Sequence, residues 1–413
     1  MSPDINILPY SAEFFLDREE PIDLLVTTAQ RVIQRDTGAL RTIIFEAERG
    51  SGKTWLALHL VREIIPKFPQ ITPLFICLRP NKDHNKPKDN ELFLDEFTLP
   101  ASIDEDRQVE DSVTRVMRWM AKKVNALRAE QCELRELSRW IIEAVETSPG
   151  AYALVLDSVY EANWPLLAEL EKYLFGPLAA LQNVMTILTG RGRRYPWESP
   201  DLKLNAAARQ LERFPTDKAR QMISMQAHKE MTDQEIETLM DITGGSLLAM
   251  IIVAQSDEQV VAINTAIDNL LMVSTGEDRA LREYFEALSP LDQFREEQFK
   301  SMLIRYYQAR GEHVKQNQVE KWDMQQVRKE RDKLLATNLV RWKEGGYTLD
   351  KAVQNLVQKY MTSGQPKTWD ALNREAFHMY NDWAENFPDY QEYYRQQAQI
   401  FCRRFEPEAS ARR

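Results

Sequence analysis

The chain has 413 residues, of which 43% are apolar and 28% charged, with a net charge of −10; this is the composition of a globular chain of two to four domains, not of one that coats nucleic acid by bulk attraction. No apolar run reaches eighteen residues and Met1 to Leu8 lacks the basic-then-apolar order of a secretion signal, so neither a membrane span nor export is expected and a cytoplasmic location is. Cys77, Cys132 and Cys402 form no CxxC pair, which removes a disulfide framework and a zinc ribbon, and the five histidines form no HExxH, so a metal held by protein alone is not expected; any metal should arrive with phosphate.

Thr42–Phe45 is a short β-branched and aromatic run that ends at ERGSGKT, and WLALHLV continues as a helix. Further apolar runs at Pro73–Leu78, Ala151–Asp157 and Asn183–Thr189, with a weaker one at Ala208–Phe214, have the length of buried parallel strands. Helical stretches such as Ser112 to Val145 separate them, so a parallel α/β sheet is expected. Arg79 to Leu99 is polar and turn-rich and reads as an exposed loop. After Phe214 the strands stop. TDKARQMISMQ, DQEIETLMDIT and SLLAMIIVAQS read as amphipathic helices, with Thr243-Gly244-Gly245 as a break. LREYFEALSPL, FREEQFKSMLIRYY and MQQVRKERDKLLAT then lead into two alternating runs around Glu344-Gly345-Gly346, and three helices with a terminal hairpin describe a winged helix. The expected division is a nucleotide-binding domain over 1–215, a helical lid over 216–275, a winged helix over 276–361 and a helical C-terminus over 362–413.

Ala47-Glu48-Arg49-Gly50-Ser51-Gly52-Lys53-Thr54 matches the phosphate-loop pattern GxxxxGK[ST], except that Ala47 replaces the first glycine. Backbone N–H groups of Arg49, Gly50, Ser51, Gly52, Lys53, Thr54 and Trp55 would face the phosphates, Lys53 would reach the β and γ groups, and Thr54 would hold Mg²⁺. The accidental alternative, a glycine-rich turn, does not explain a loop that closes a strand and opens a helix. Asp157, ending the apolar LVLD strand, is the expected second magnesium residue, against the plainer reading of a helix-capping acid. Ser158 follows where a water-orienting acid would stand; Glu161 could substitute, and slow hydrolysis is the simpler inference. Arg191, after ILTG, suits a γ-phosphate sensor because a guanidinium grips phosphate at two points.

The order of these motifs, P-loop, LVLD, ILTGR, Thr243-Gly244-Gly245-Ser246-Leu247-Leu248 and then a winged helix, resembles the STAND class of signal-transducing ATPases, including the NB-ARC proteins. The resemblance covers about Pro9 to Tyr380. It implies an ASCE-type P-loop sheet, ATP or ADP with Mg²⁺, Arg191 as nucleotide sensor, a lid contact at Ser246 where the family has proline, and a lead-in at Asp17 and Arg18 whose backbone lies near the base. It also implies a histidine in the winged helix that locks the ADP state; Asp350 stands there, so either Lys351 makes the lock or the resting state is weak. Such proteins carry a sensor and an effector of their own. Eight residues precede Pro9 and residues 362–413 follow the winged helix, so sensing and output are expected in separate partner proteins, with self-oligomerisation on ATP. The resemblance also points to antiviral defence or regulation without choosing between them.

The rival reading is a winged-helix DNA-binding ATPase acting in transcription, transposition or other DNA transactions. Arg305 to Lys343 holds ten Lys and Arg against five Asp and Glu, and Gln326 to Lys333 would be the recognition helix. Glu330 and Asp332 interleave those basic residues, which favours a plain solvated face. A constitutive motor is the third reading; Arg193 and Arg194 could act in trans, but Ser158 counts against it. Trp164, Trp197 and Trp342 are read as core residues before interface anchors.

Overall fold

A computed structural model describes residues 10–16, 18–46, 50–78, 88–94, 105–129, 132–162, 164–190, 194–204, 206–212, 214–227, 230–255, 259–275, 279–337, 339–343 and 345–405. The chain divides into two compact units, Asp4–Glu230 and Met231–Arg413.

In the first unit, helix α1 (Glu19–Ile33) precedes strand β1 (Thr42–Glu46), and α2 (Lys53–His59) continues through a π turn at Leu60–Ile64. Then come β2 (Ile71–Cys77), β3 (Glu91–Phe93), α3 (Glu105–Lys123), α4 (Leu134–Glu146), β4 (Ala151–Asp157), α5 (Trp164–Leu170), α6 (Gly176–Ala179), β5 (Val184–Gly190), α7 (Pro200–Lys203), β6 (Ala206–Gln210) and α8 (Thr216–Ala227). The six strands pair in the order β3-β2-β4-β5-β1-β6, and every pairing is parallel. Alternate residues of each strand enter opposite cores, as a sheet covered on both faces requires. Ile44, Leu74, Leu154, Leu156 and Leu188 join α3 and α4 in one core, while Ile43, Phe45, Phe75, Val155 and Ile187 join α1 and α2 in the other.

Three expectations change here. Glu91–Phe93 lies in the segment read as an exposed loop, yet it extends the sheet beyond β2. Its acid is drawn inward by Arg62, whose Nε and Nη2 each donate at 2.6 Å to the Glu91 carboxylate, and the Glu91 side chain is fully buried. The continuous helical stretch Ser112 to Val145 is two helices, broken where Asn125 turns left-handed at φ 54°. The last strand starts at Ala206, not Ala208.

The second unit opens with α9 (Asp233–Thr243), α10 (Leu247–Ala254) and α11 (Gln259–Thr275). α9 begins with a reciprocal cap between Thr232 and Glu235. α10 is not amphipathic: every residue but Leu248 is buried. α11 is a helix missing from the sequence reading. Next come α12 (Arg279–Leu288), α13 (Glu296–Ala309), α14 (His313–Glu320), α15 (Met324–Ala336), β7 (Val340–Lys343) and β8 (Gly346–Leu349). β7 and β8 form the antiparallel hairpin, and Phe294 bridges to Tyr347 as a one-residue third strand, which completes a winged helix with α14 as an extra helix. α16 (Lys351–Gly364), α17 (Pro366–Asn386) and α18 (Gln391–Phe405) close the chain.

One hub ties α11 to the winged helix. Arg282 donates to Glu286 at 2.8 Å and to Asn264 at 2.6 Å, pairs with Asp268, and lies over the Tyr360 ring at 5.0 Å. Glu286 is 4% exposed and takes a second bond of 2.5 Å from the Tyr306 hydroxyl. α16 packs against α9, α11, α12 and α17. Its N-terminus meets the Gly244 turn so closely that a Cβ on Gly244 would lie 2.9 Å from the Ala352 Cα.

Candidate nucleotide-binding site

The carboxyl ends of β1, β2, β4 and β5 share one edge of the sheet, where open α/β folds bind ligands. Asp157 ends β4 there and is 1% exposed. Four side chains from separate elements reach it. Thr54, in the first turn of α2, donates to Oδ2 at 2.9 Å; Thr189 of β5 donates to Oδ1; Cys77 of β2 lies 3.6 Å and Ser158 3.4 Å from Oδ2. An acid capping a following helix would instead bond to backbone N–H groups, so the plainer reading of Asp157 does not describe what the structure holds.

Gly52 sits at φ +86° and Gly50 at φ +75°, and a Cβ built on Gly52 meets nothing within 4 Å. This is an open cradle at the start of a helix, where backbone N–H groups and the helix dipole favour an anion. The Ser51 hydroxyl is buried with no hydrogen-bond partner among the described residues, and Lys53 is 8% exposed. Buried donors, a buried lysine and a Thr–Asp pair suit a phosphate chain with its magnesium ion. Among the described residues there is no cluster of three or more His, Cys, Asp or Glu that could hold a metal alone.

The loop is braced from the N-terminal side. Arg18 is 7% exposed, donates from Nη2 to the Ser51 carbonyl at 3.0 Å, and lies 4.2 Å above the Phe214 ring. The sequence reading noted Arg18 for its backbone; its guanidinium is what touches the loop. Tyr10 bonds His59 Nδ1 at 2.9 Å and meets Trp55 edge-on at 5.7 Å, while Phe15 stacks on His59 at 3.9 Å. Burial, chiefly, holds the His59 pKa below its ordinary value.

Ser158 is 3% exposed and left-handed at φ 59°. The sharp turn lets Tyr160 pack on Gly190, where a Cβ would fall 2.8 Å from the Tyr160 ring. Arg194 crosses back to Glu46 at the end of β1 with an Nη2 contact of 2.8 Å. Thr189 and Arg194 were not singled out for these contacts, although a hydroxyl and a guanidinium around a strand end are a visible signal. Arg49, Arg191 and Arg193, with Ala47, Glu48 and Asp17, lie outside the described residues, as does the side chain of Glu161.

In the second unit, Ser246 caps α10 by accepting from the Ala249 N–H at 3.5 Å. Asp350 accepts from the N–H groups of Ala352 and Val353 at 3.1 and 3.3 Å and so caps α16, with Arg341 3.9 Å away. Lys351 bonds Gln354 at 3.3 Å. Of the three tryptophans, Trp197 is buried as expected; Trp164 and Trp342 are 38% and 58% exposed and are not core residues.

Strand β5 stands between β1, which carries the P-loop, and β4, which carries Asp157, and this interposed strand is the ASCE arrangement. A helical region and a winged helix follow it in chain order. The fold is that of an ASCE-type P-loop sheet followed by a helical region and a winged helix. No known sequence family matches the chain, and no curated protein is significantly similar in sequence. Among solved structures it is similar to a STAND protein with a tetratricopeptide repeat sensor from Pyrococcus horikoshii, at 12% identity and a TM-score of 0.37, over 96% of this chain and 55% of that one. The chain thus spans about half the length of that protein. It is also similar to Cdc6p from Pyrobaculum aerophilum, at 12% identity, TM-score 0.40, over 85% and 97% of the two chains, and to the Aeropyrum pernix ORC1 protein, solved in complex with DNA, at 12%, 0.37, over 86% and 94%.

Proposed function

We propose that the chain is an ATP- and ADP-controlled switch that relays between separate sensor and effector proteins in the cytoplasm. The observation that carries this is the convergence of Thr54, Thr189, Cys77 and Ser158 on the buried Asp157. One carboxylate joins the P-loop helix to β2, β4 and β5, so whatever binds at Thr54 is felt across the sheet. Gly50, Gly52 and Lys53 hold the phosphates, Thr54 and Asp157 hold the magnesium ion, and Arg191 senses the γ-phosphate. Bound Mg²⁺ supplies charge neutralisation at the phosphates. Ser158 offers no base for water, so turnover is slow and each nucleotide state persists. Moving the population from 1:99 to 99:1 takes about 5.5 kcal/mol of differential affinity, which contacts to a γ-phosphate and its ion can supply. Self-assembly on ATP and a place in antiviral defence or regulation belong to this reading. Among the described residues no single helix is long and apolar enough to cross a membrane.

The test is the nucleotide content and mass of the purified protein, by denaturing extraction and light scattering, beside Lys53→Ala. Retained ADP in a species whose mass rises with ATP, both lost in the variant, is expected. An empty protein of fixed mass that hydrolyses ATP rapidly would reject the switch.

One observation favours the DNA reading as well. Glu330, which interleaves the basic residues in sequence, turns inward to accept from the Tyr284 hydroxyl at 2.9 Å, and Asp332 pairs with Arg331. Arg328 and Lys329 remain exposed, without an ion pair to a described residue, and Lys343 and Trp342 are exposed on the wing. Binding to duplex DNA that weakens steeply with salt and is lost on Arg328→Ala with Lys329→Ala would establish it; absent or salt-insensitive binding would remove it.

A further inference from the structure

The hairpin of α17 and α18 exposes aromatic surface that a folded chain ordinarily hides. Phe387, Tyr390 and Tyr393 are 51%, 63% and 48% exposed. They are one surface, because each ring meets Tyr394, at 6.3, 6.3 and 5.4 Å. Tyr394 in turn rests on Trp383 at 5.5 Å, and beneath them Tyr380 stacks on Phe401 at 5.5 Å, so the platform is fixed from below.

Its charge has one sign. From Asn381 to Tyr394 the sequence holds Asp382, Glu385, Asp389 and Glu392 and no Lys or Arg. All four acids are exposed, and none pairs with a cation among the described residues. The nearby Arg295 donates from Nε to the Gly345 carbonyl at 2.7 Å, and the exposed Arg395 lies just beyond the stretch.

We propose that this face docks an Arg- and Lys-rich segment of a partner protein. Ring faces attract guanidinium and ammonium groups, and the effect grows as water is displaced. Carboxylates around the rings add charge-assisted bonds and fix register. A purely apolar partner would leave four carboxylates unpaired at the contact, at a cost in desolvation. Nucleic acid would meet only like charge. Aromatic side chains are also the residues in which binding energy concentrates at protein interfaces. The proposal does not rest on the nucleotide reading.

The experiment uses the full chain and a fluorescein-labelled nona-arginine peptide, with nona-glutamate as control, followed by anisotropy at about 0.15 M salt. Tyr390→Ala with Tyr393→Ala removes exposed rings only; Asp389→Asn with Glu392→Gln removes patch charge; Glu136→Gln with Glu146→Gln removes equal charge elsewhere on the surface. Circular dichroism and Tm confirm that each variant folds. Expected is a loss of affinity of about tenfold for the ring variant and a smaller loss for the patch-charge variant, with the remote-charge variant unchanged. Equal losses in both charge variants with none in the ring variant would mean bulk attraction and overturn the proposal. So would a dimer of the protein alone that the ring variant abolishes, which would make a second copy the occupant.

Discussion

Arg18 and Ser51, 33 residues apart, are joined by a 3.0 Å hydrogen bond from a guanidinium to a P-loop carbonyl. The bond turns a remote cation into a strut on the loop, and the guanidinium lies over the Phe214 ring at 4.2 Å.

Arg18→Ala is therefore expected to weaken ADP binding by roughly tenfold or more, measured by titration calorimetry, since a hydrogen bond from a charged group contributes about 1.5–3 kcal/mol. Arg18→Lys should not restore affinity, because an ammonium cannot lie flat on the ring while reaching the carbonyl. Full rescue by lysine would show that only the charge matters.

Gly244 is left-handed at φ +64° and faces Ala352 with no room for a Cβ. Gly244→Ala adds both a strained backbone and a backbone clash, and should cost about 2–4 kcal/mol in urea unfolding. A change below about 0.5 kcal/mol would mean that the turn and α16 separate easily.

Arg282→Met removes the cation that faces the buried Glu286 and breaks the tie to Asn264 and Asp268. Arg282 keeps some solvent contact, so the expected loss is about 2–3 kcal/mol, below that of a fully buried pair. Adding Glu286→Gln should return part of it, because the uncompensated charge is then gone. Strict additivity of the two changes in thermal unfolding would count against a coupled hub.

Burial lowers the pKa of His59, so the folded protein takes up this proton less readily than the unfolded chain. Stability from this group is complete above its ordinary value of about 6.5 and is lost as pH falls from there through the lower folded pKa. Tm should drop more steeply as pH falls below about 6.5 in the wild type than in His59→Gln. Parallel curves would remove His59 as the cause.

Much of the sheet was legible because β1, β4 and β5 are short apolar runs set between helical stretches. β3 was not, because its three residues carry a glutamate whose burial depends on Arg62, 29 positions away in sequence. Lys53, Thr54 and Asp157 could be placed by motif and strand end, whereas the support from Thr189, Cys77 and Arg18 depends on strand order, which no local pattern encodes. α15 shows the same limit. Glu330 and Arg328 are near neighbours in sequence, yet Arg328 is exposed while Glu330 is buried on the face of Val327 and Leu334, where the Tyr284 hydroxyl meets it.

The place of α16 bears on how this chain can be cut. Ala352, Val353, Leu356, Val357 and Met361 are buried where the helix meets α9, α11, α12 and α17. A recombinant fragment stopping before Lys351 would leave greasy faces on all of those helices, and a transplanted winged helix would arrive without its neighbours. Helices α9 to α11 and the winged helix are therefore a single module for expression or grafting, and chimaeras should exchange Met231 onward as one piece.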